Sequence, residues 1–475
     1  MRTLLIVHRY LGVVVGLVVA LWCLSGFVMM YRGYPAVSPA QRLKGLKPLA
    51  LPTAPPALDL GHEPLSGFRI ETMAGRPVLH LSGGKGPSLI DLITGVDVKR
   101  IGPADATIQA ADYAAGQGVR ARAGQPRLID EDQWTVEGAA SRGAVHRVNF
   151  DDPARTVVYV AALSGEVVQA TDRSSRLWAW LGAAPHWLYP HILRRHTWLW
   201  LQVVTWTSLA GVFLTVTGLY VGIARFRRTR DGRWSPYRGW RWWHHMAGLI
   251  FGLFTLTWVT SGLLTVNPWG LLESSATEVV GAAVSGRIAP AEVQAFLEAA
   301  PRSIAPGAVA LESTPLGGRM FVVERFGDGR ALRLDAKGRP APVGRAEIAA
   351  ALAGAGERVA RLELMSRPDG YYYPNYDGPA PLPVWKAVLA GPGDPVAYLD
   401  PVSGEVRLAV DATARASRWI RTGLHDFDFP GISVRPFWDI IVLLLLAGVT
   451  AGAITGAWLS IKRVALDLSR LQRRR

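Results

Sequence analysis

The stretch HRYLGVVVGLVVALWCLSG, residues 8–26, reads as a membrane span that begins with an imidazole. A second stretch, HHMAGLIFGLFTLTWVTSG at 244–262, carries the same skeleton, H-x3-G-x3-G-x5-W-x2-S-G. The register is a constant 236 residues, pairing His8 with His244, Gly12 with Gly248, Gly16 with Gly252, Trp22 with Trp258, Ser25 with Ser261 and Gly26 with Gly262. Six identities in one register mark an internal duplication.

The match continues beyond the spans. VVYVAALSGEVV (157–168) corresponds to VAYLDPVSGEVR (396–407), and SRLWAWLGAAPHWLYPHILRRHTW (175–198) to SRWIRTGLHDFDFPGISVRPFW (417–438). With a small gap, His186 falls on His425, Pro190 on Pro430, Arg195 on Arg435 and Trp198 on Trp438. Thr217-Gly218 and Thr455-Gly456 then end the even spans alike. Each half is therefore a span, an extramembrane region and a returning span, and the halves are parallel repeats about an axis along the membrane normal.

Four apolar segments, 1–31, 197–224, 242–267 and 437–461, each hold about the 20 residues that roughly 30 Å of hydrocarbon requires. The first is too long for the apolar core of a signal peptide and lacks a small-residue cleavage site, so it is kept as a span. The expected fold is an α-helical membrane protein of four helices with α+β domains outside the bilayer. A net charge of +15 raises nucleic acid as a partner, but the basic residues crowd the span ends rather than forming a binding face. Arg2, Arg9, the arginines of 225–241, Lys462, Arg463 and Arg473 to Arg475 flank one side. The positive-inside rule makes that side cytoplasmic, with both termini and the basic segments 225–241 and 462–475 inside. The regions 32–196 and 268–436 then face outward, into the periplasm of a bacterium with an inner membrane. Period-2 alternation in RPVLHLSGGKGPSLIDLITGVDV (76–98) and RMFVVERFGDGRALRLDAKGRP (319–340), with turns TGVD, SGEV, AKGR and SGEV, predicts two hairpins per half.

A single cysteine, Cys23, rules out an intramolecular disulfide. Metal chemistry must rest on histidine. Histidine at the edge of hydrocarbon is costly and marks function by default. Glycines at i+4 and i+8 lie within about 40° and 80° of His8 and His244. They serve equally for close helix packing, which leaves the imidazoles unexplained. Two imidazoles facing each other across a pseudo-twofold axis, with glycine beside them, is the arrangement that axial ligation of a b-type haem requires. His8 with His244, and His186 with His425, form two such pairs, and thus two non-covalent haems, since no C-x2-C-H is present. His245 stands as an alternative to His244 or as a partner of a haem propionate, and His191 or His196 as replacements for His186. Arg195 and Arg435 suit propionates or lipid headgroups. Zinc would need three or four ligands at one point, and a proton-coupled transporter would place histidine at the midplane. His62, His80 and His146 read as ordinary surface or turn residues. Of the eighteen tryptophans, those at 178–206 and 240–243 fit an interfacial belt. The loop DGYYYPNYDGPAPLPVW (369–385) suits either gripping a bulky ligand or packing on its own domain.

HRYLGVVVGL with LSG, YRGWRWWHHMAGLIFGLFTLTWVTSGLLTVNPWG (237–270), PHWLYP (185–190), and GLHDFDF with RPFWD (423–439) resemble PepSY-associated transmembrane proteins, often called iron-regulated membrane proteins, over essentially the whole chain. The resemblance implies PepSY-type α+β domains and a group that includes haem-containing inner-membrane ferric-siderophore reductases. Its intramembrane histidine pattern falls on His8, the His244-His245 pair and His425, with His186 in the PHW setting. The function it implies is one-electron reduction of a periplasmic ferric siderophore or other ferric chelate. No G-x-G-x2-G follows a strand in the short cytoplasmic segments, so the electron donor, a quinol or a cytoplasmic reductase, is separate. The competing expectation is a non-enzymatic PepSY sensor or regulator that binds a periplasmic peptide or protease.

Overall fold

The computed structural model describes residues 2–83, 88–374 and 380–473, so 84–87 of the first strand-rich stretch, 375–379 of the aromatic loop and the last two arginines lie outside the described residues. The chain forms two compact units. One contains the residues up to 34, 175–273 and those from 416 onward; the other contains 35–174 and 274–415.

The first unit is a four-helix bundle of spans Arg2–Met29, Thr197–Arg225, Trp240–Val266 and Phe437–Gln472. Each is long and apolar enough to cross a membrane, and helix closes every backbone hydrogen bond within the segment. Val14, Leu17, Phe213, Ile250, Leu253 and Leu444 point outward, as lipid-facing positions do. Spans 1 and 3 each pack on spans 2 and 4, which sets 1 and 3 on a diagonal. Small residues allow the approach: a Cβ on Gly12 would stand 3.3 Å from Ser460 Oγ, and one on Gly252 would stand 2.6 Å from Leu219. Span 4 runs through Gln472, beyond the boundary expected at 461, so most of the basic tail is helical. Neither Gly nor Pro interrupts 458–473, and an i,i+4 pair of Arg463 with Asp467 at 2.7 Å extends the helix. The short helices Ala183–His186 and His191–Arg194 and the π-helical turn Arg418–Gly423, expected within the regions 32–196 and 268–436, pack in the same unit as the four spans.

In the second unit the order of strands is duplicated, while the helix Pro290–Ser303 occurs only in the second half among the described residues. The first half supplies β1 (Leu65–Met73), β2 (Arg76–Gly83), β3 (Ser88–Asp91), the helix Pro103–Gly116, then β4 (Arg127–Ile129), β5 (Val145–Asn149), β6 (Val157–Ala161) and β7 (Val167–Thr171). The second half repeats the order with β8 (Ala308–Ser313), β9 (Phe321–Phe326), β10 (Ala331–Asp335), the helix Arg345–Gly354, and β11 (Val359–Met365), β12 (Val384–Leu389), β13 (Val396–Leu399) and β14 (Val406–Val410). The two SGEV turns join β6 to β7 and β13 to β14, whereas TGVD and AKGR follow the edge strands β3 and β10 and close only on the single bridges Ile90–Asp97 and Leu334–Pro340. The β1–β2 and β8–β9 hairpins have two-residue turns with both φ positive, Ala74-Gly75 and Gly317-Gly318, which match strand twist.

The two regions expected as separate, 32–196 and 268–436, are joined by one sheet, in the order β10-β9-β8-β1-β2-β3. Strand β1 pairs antiparallel with β8, Ile70 opposite Leu311, so each half covers the other's open edge. Ile70, Leu79, Phe296, Leu311 and Val322 are fully buried beneath it. The remaining strands form two further sheets, β4 to β7 and β11 to β14. In each a buried tyrosine donates to an aspartate, Tyr159 to Asp132 at 2.8 Å and Tyr398 to Asp369 at 2.7 Å.

A charged cluster sits on the seam strand. The buried Glu71 carboxylate lies 3.1 Å from Arg42, 3.3 Å from Arg69 and 3.1 Å from His80. Burial alone would raise its pKa, but the His80 hydrogen bond and the charges of Arg42 and Arg69 outweigh it and hold the carboxyl down at about 2. A folded pKa below the unfolded value of about 4.3 means that this stabilisation is complete above roughly pH 4.5 and is lost as pH falls toward 2. The unfolding midpoint is therefore expected to drop between pH 5 and pH 3. Glu71→Gln should flatten that slope and cost on the order of 2–3 kcal/mol at pH 7, both read from thermal unfolding in detergent.

Candidate functional site

Helix packing on the diagonal brings His8 and His244 together, with ring centroids 6.2 Å apart and planes inclined by 33°. His8 Nδ1–H donates to the Leu214 carbonyl at 3.0 Å, and His244 Nδ1–H donates to the Gly452 carbonyl at 3.0 Å. The Thr217 and Thr455 hydroxyls lie beside them at 3.5 and 3.4 Å. A Cβ on Gly218 would stand 2.6 Å from His8, and one on Gly456 2.8 Å from His244, so only glycine leaves room for the rings there. Each contact has its copy in the other half.

At the other end of the bundle His186 and His425 stand 6.2 Å apart, inclined by 56°. His186 Nδ1–H reaches the Trp22 carbonyl and the Ser25 hydroxyl, both at 3.1 Å. His425 Nδ1–H reaches the Ser261 hydroxyl at 3.1 Å and bonds the Trp258 carbonyl. Both serines donate their own protons to helix carbonyls, Ser25 to Leu21 and Trp22, Ser261 to Trp258, which leaves them as acceptors. Two residues beyond each histidine the backbone enters the left-handed region, Leu188 at φ 51° and Phe427 at φ 56°. Such non-glycine conformations are strained and cluster at functional positions. Ser25 and Ser261 follow His8 and His244 by 17 residues. The two pairs are thus separated by about 25 Å along the helices at 1.5 Å per residue.

A carbonyl acceptor fixes Nδ1 as the protonated nitrogen. Nε2, which makes no hydrogen bond among the described residues in any of the four, keeps its lone pair. Two metal–nitrogen bonds of about 2.0 Å on opposite sides of one ion, plus roughly 1.1 Å from each nitrogen to its ring centre, separate ring centres by about 6.2 Å. Both pairs have that spacing. The Nδ1 bonds to Leu214, Gly452, Ser25 and Ser261 are of the kind that orients an imidazole toward a metal. The residues present therefore fit an axially ligated haem at each pair. Among the described residues no three His, Cys, Asp or Glu side chains converge on one point, as a structural zinc would need.

Several candidates are placed elsewhere. His245 is buried and engages both nitrogens, Nδ1 with the Ser235 hydroxyl and Nε2 with the Gly222 carbonyl, each at 2.9 Å. It cannot replace His244, because a neighbouring residue on a helix points about 100° away. His191 opens the helix His191–Arg194 and His196 caps span 2. Arg435 pairs with Asp439 at 3.1 Å and stacks on Tyr31 and Trp438. Its equivalent, Arg195, caps the short helix before span 2. His80 and His146 are not surface residues: His80 Nε2 lies 3.1 Å from the Glu71 carboxylate, and the buried His146 bonds the Ile101 carbonyl at 2.9 Å. Gly12, Gly16 and Gly252 face neighbouring helices, and only Gly248 has open space beside it. In the aromatic loop, Asp369 accepts the Tyr371 and Tyr372 amides, and Tyr372 stacks on Tyr398, so its described part packs on its own domain. The residues that orient the imidazoles, Ser25, Ser261, Thr217, Thr455, Gly218 and Gly456, were visible only as identities in the repeat.

A four-span bundle with two matched histidine pairs, inserted around a duplicated α+β unit, defines the class of protein. The family described as the PepSY-associated TM region matches residues 5–463, nearly the whole chain, and the protein belongs to that family. Comparison with curated proteins gives no match.

Because His245 is a structural residue, His245→Ala is expected to lower the thermal unfolding midpoint, at a cost of about 2–3 kcal/mol from two lost buried hydrogen bonds. Whatever the His8–His244 pair binds should remain bound in that variant at unchanged stoichiometry.

Proposed function

We propose that the bundle binds two b-type haems, one per histidine pair, and conducts electrons between the membrane faces to reduce a ferric chelate such as a ferric siderophore. The observation that carries this reading is the duplicated pair at 6.2 Å with every Nδ1 tied and every Nε2 free. Haem bound there supplies a one-electron Fe(III)/Fe(II) couple. His8 with His244, and His186 with His425, would hold the haem iron through their free Nε2 atoms. Leu214, Gly452, Ser25 and Ser261 lock the ring orientation by accepting the Nδ1 protons.

The cationic ends of the spans lie on the side of the His8–His244 pair, which the positive-inside rule makes cytoplasmic. Electrons then enter there from a separate quinol or cytoplasmic reductase and leave at the periplasmic end, in an inner membrane. One electron converts chelated Fe(III) to Fe(II), which oxygen donors hold weakly, and the metal is released.

Protein purified in detergent after expression with adequate haem is expected to show Soret and α bands reducible by dithionite. A colourless protein overturns the proposal. His8→Ala and His425→Ala should each remove about half of the bound haem, by pyridine haemochrome assay, and retention of the full amount in both would sink the ligand assignment. Ser261→Ala, which removes the hydroxyl acceptor of His425, is expected to loosen that site by about 10–100-fold, read as faster haem transfer to apomyoglobin.

A further inference from the structure

The halves of the extramembrane unit meet on a pseudo-twofold axis, and the charges around that axis do not balance. Arg69 and Glu312 stand at the same distance before the β1–β2 and β8–β9 turns, so they hold equivalent places, and they face each other across the seam. Glu166 and Glu405 are equivalent members of the two SGEV turns. Both turns dock on the residue that precedes a seam hairpin's turn, Gly165 against Met73 and Gly404 against Leu316.

The first turn is held by ion pairs. Glu166 pairs with Arg42 at 2.5 Å and with Arg69, and the same two arginines reach Glu71 at 3.1 and 3.3 Å. Burial raises the Glu166 carboxyl, but Arg69 and Arg42 outweigh burial and hold it below its ordinary value. In the second half Glu312 occupies the place of Arg69 and takes Arg325 at 2.5 Å. Arg407 is drawn to Asp400 at 2.7 Å. Glu405 is half-buried, accepts the Ser403 hydroxyl at 3.1 Å and makes no ion pair among the described residues. It is faced by Ser403 and Asp400 of its own turn, Arg407 of β14, Arg325 of β9 and Glu312 of β8. Glu71, Glu166, Glu312 and Glu405 thus share Arg42, Arg69 and Arg325, which leaves one carboxylate without a guanidinium. Burial and then Glu312 raise the Glu405 carboxyl above its ordinary value, against Arg407, the Ser403 hydroxyl and Arg325.

We infer that the turn at 403–406 is a proton-controlled latch, which holds the β13–β14 hairpin on the seam while Glu405 carries a proton and loosens it when Glu405 ionises beside Glu312. A folded-state value above the unfolded one of about 4.3 means that this stabilisation is whole below that pH and is lost as pH rises through the raised value. The copy has the opposite sign. The ion pairs of Glu166 are whole in neutral solution and are lost only in acid, so the β6–β7 turn stays docked where the β13–β14 turn loosens. The inference stands apart from the haem reading and does not depend on it.

The test is hydrogen–deuterium exchange of the full chain in detergent between pH 5 and pH 8, read by mass spectrometry as protection relative to the intrinsic rate. The amides of Asp400 and Gly404 close the second turn, and those of Ala161 and Gly165 close the first, so peptides covering 399–408 and 160–169 report on the two separately. Protection of 399–408 is expected to fall at least about threefold from pH 5 to pH 8, because each unit between folded and unfolded pKa is a factor of about ten in the opening equilibrium. Protection of 160–169 should not fall. Glu405→Gln should hold 399–408 at its pH 5 level throughout, and Glu312→Gln, which frees Arg325 for Glu405, should shrink the fall. His80→Gln, at the histidine 3.1 Å from Glu71, should leave the fall in place. A flat profile in the unmodified chain, an equal fall in both turns, a fall that persists in Glu405→Gln or one abolished by His80→Gln overturns the inference. If Glu405→Gln does not fold, Glu312→Gln decides, and an undiminished fall in it is likewise fatal.

Discussion

An imidazole whose Nδ1 proton is held by a backbone carbonyl inside a helix bundle has one lone pair left, and the bundle decides where it points. This constraint organises the membrane unit. A helix carbonyl is normally taken up by its own i+4 amide; it accepts a second proton from His8 or His244 only where a glycine allows the ring to approach. Gly218 and Gly456 supply that clearance at equivalent places. The same demand explains why Ser25 and Ser261 sit on the odd spans opposite His186 and His425. Buried polar groups need partners, and here every partner is duplicated.

Duplication acts differently in the two units. In the bundle both halves preserve the contacts of the paired imidazoles, because a site made of two opposed groups requires one from each half. In the extramembrane unit the shared demand is only the sheet, where β1 and β8 close each other's edge. Side chains away from that seam are free to diverge. Arg76 pairs with Asp105 while Arg319 makes no ion pair among the described residues, and Gln109 accepts the amide of turn residue Ala74 where the second half has Ala351.

The spans were legible because crossing hydrocarbon demands about 20 apolar residues in a run, a signal that no tertiary contact overrides. The hairpins were legible from alternation and from turns such as SGEV, which occurs in both halves. The choice between His244 and His245 was not. Adjacent residues on a helix have the same local signature, and only the positions of Gly452, Ser235 and Gly222 separate them. His80 and His146 were misread as surface residues because neither Glu71 nor the Ile101 carbonyl is near them in a way that spacing reveals.

By itself, then, the sequence determined the four spans, the twofold repeat and the histidines that the repeat relates, since apolar length and internal register are properties of the chain alone. Only the tertiary structure decided which nitrogen of each ring is free, that the two extramembrane regions share one sheet, and that Arg319 makes no ion pair among the described residues. These depend on groups separated by up to about 240 residues in the chain, such as Ile70 and Leu311, whose approach is set by packing and hydrogen-bond satisfaction rather than by local pattern.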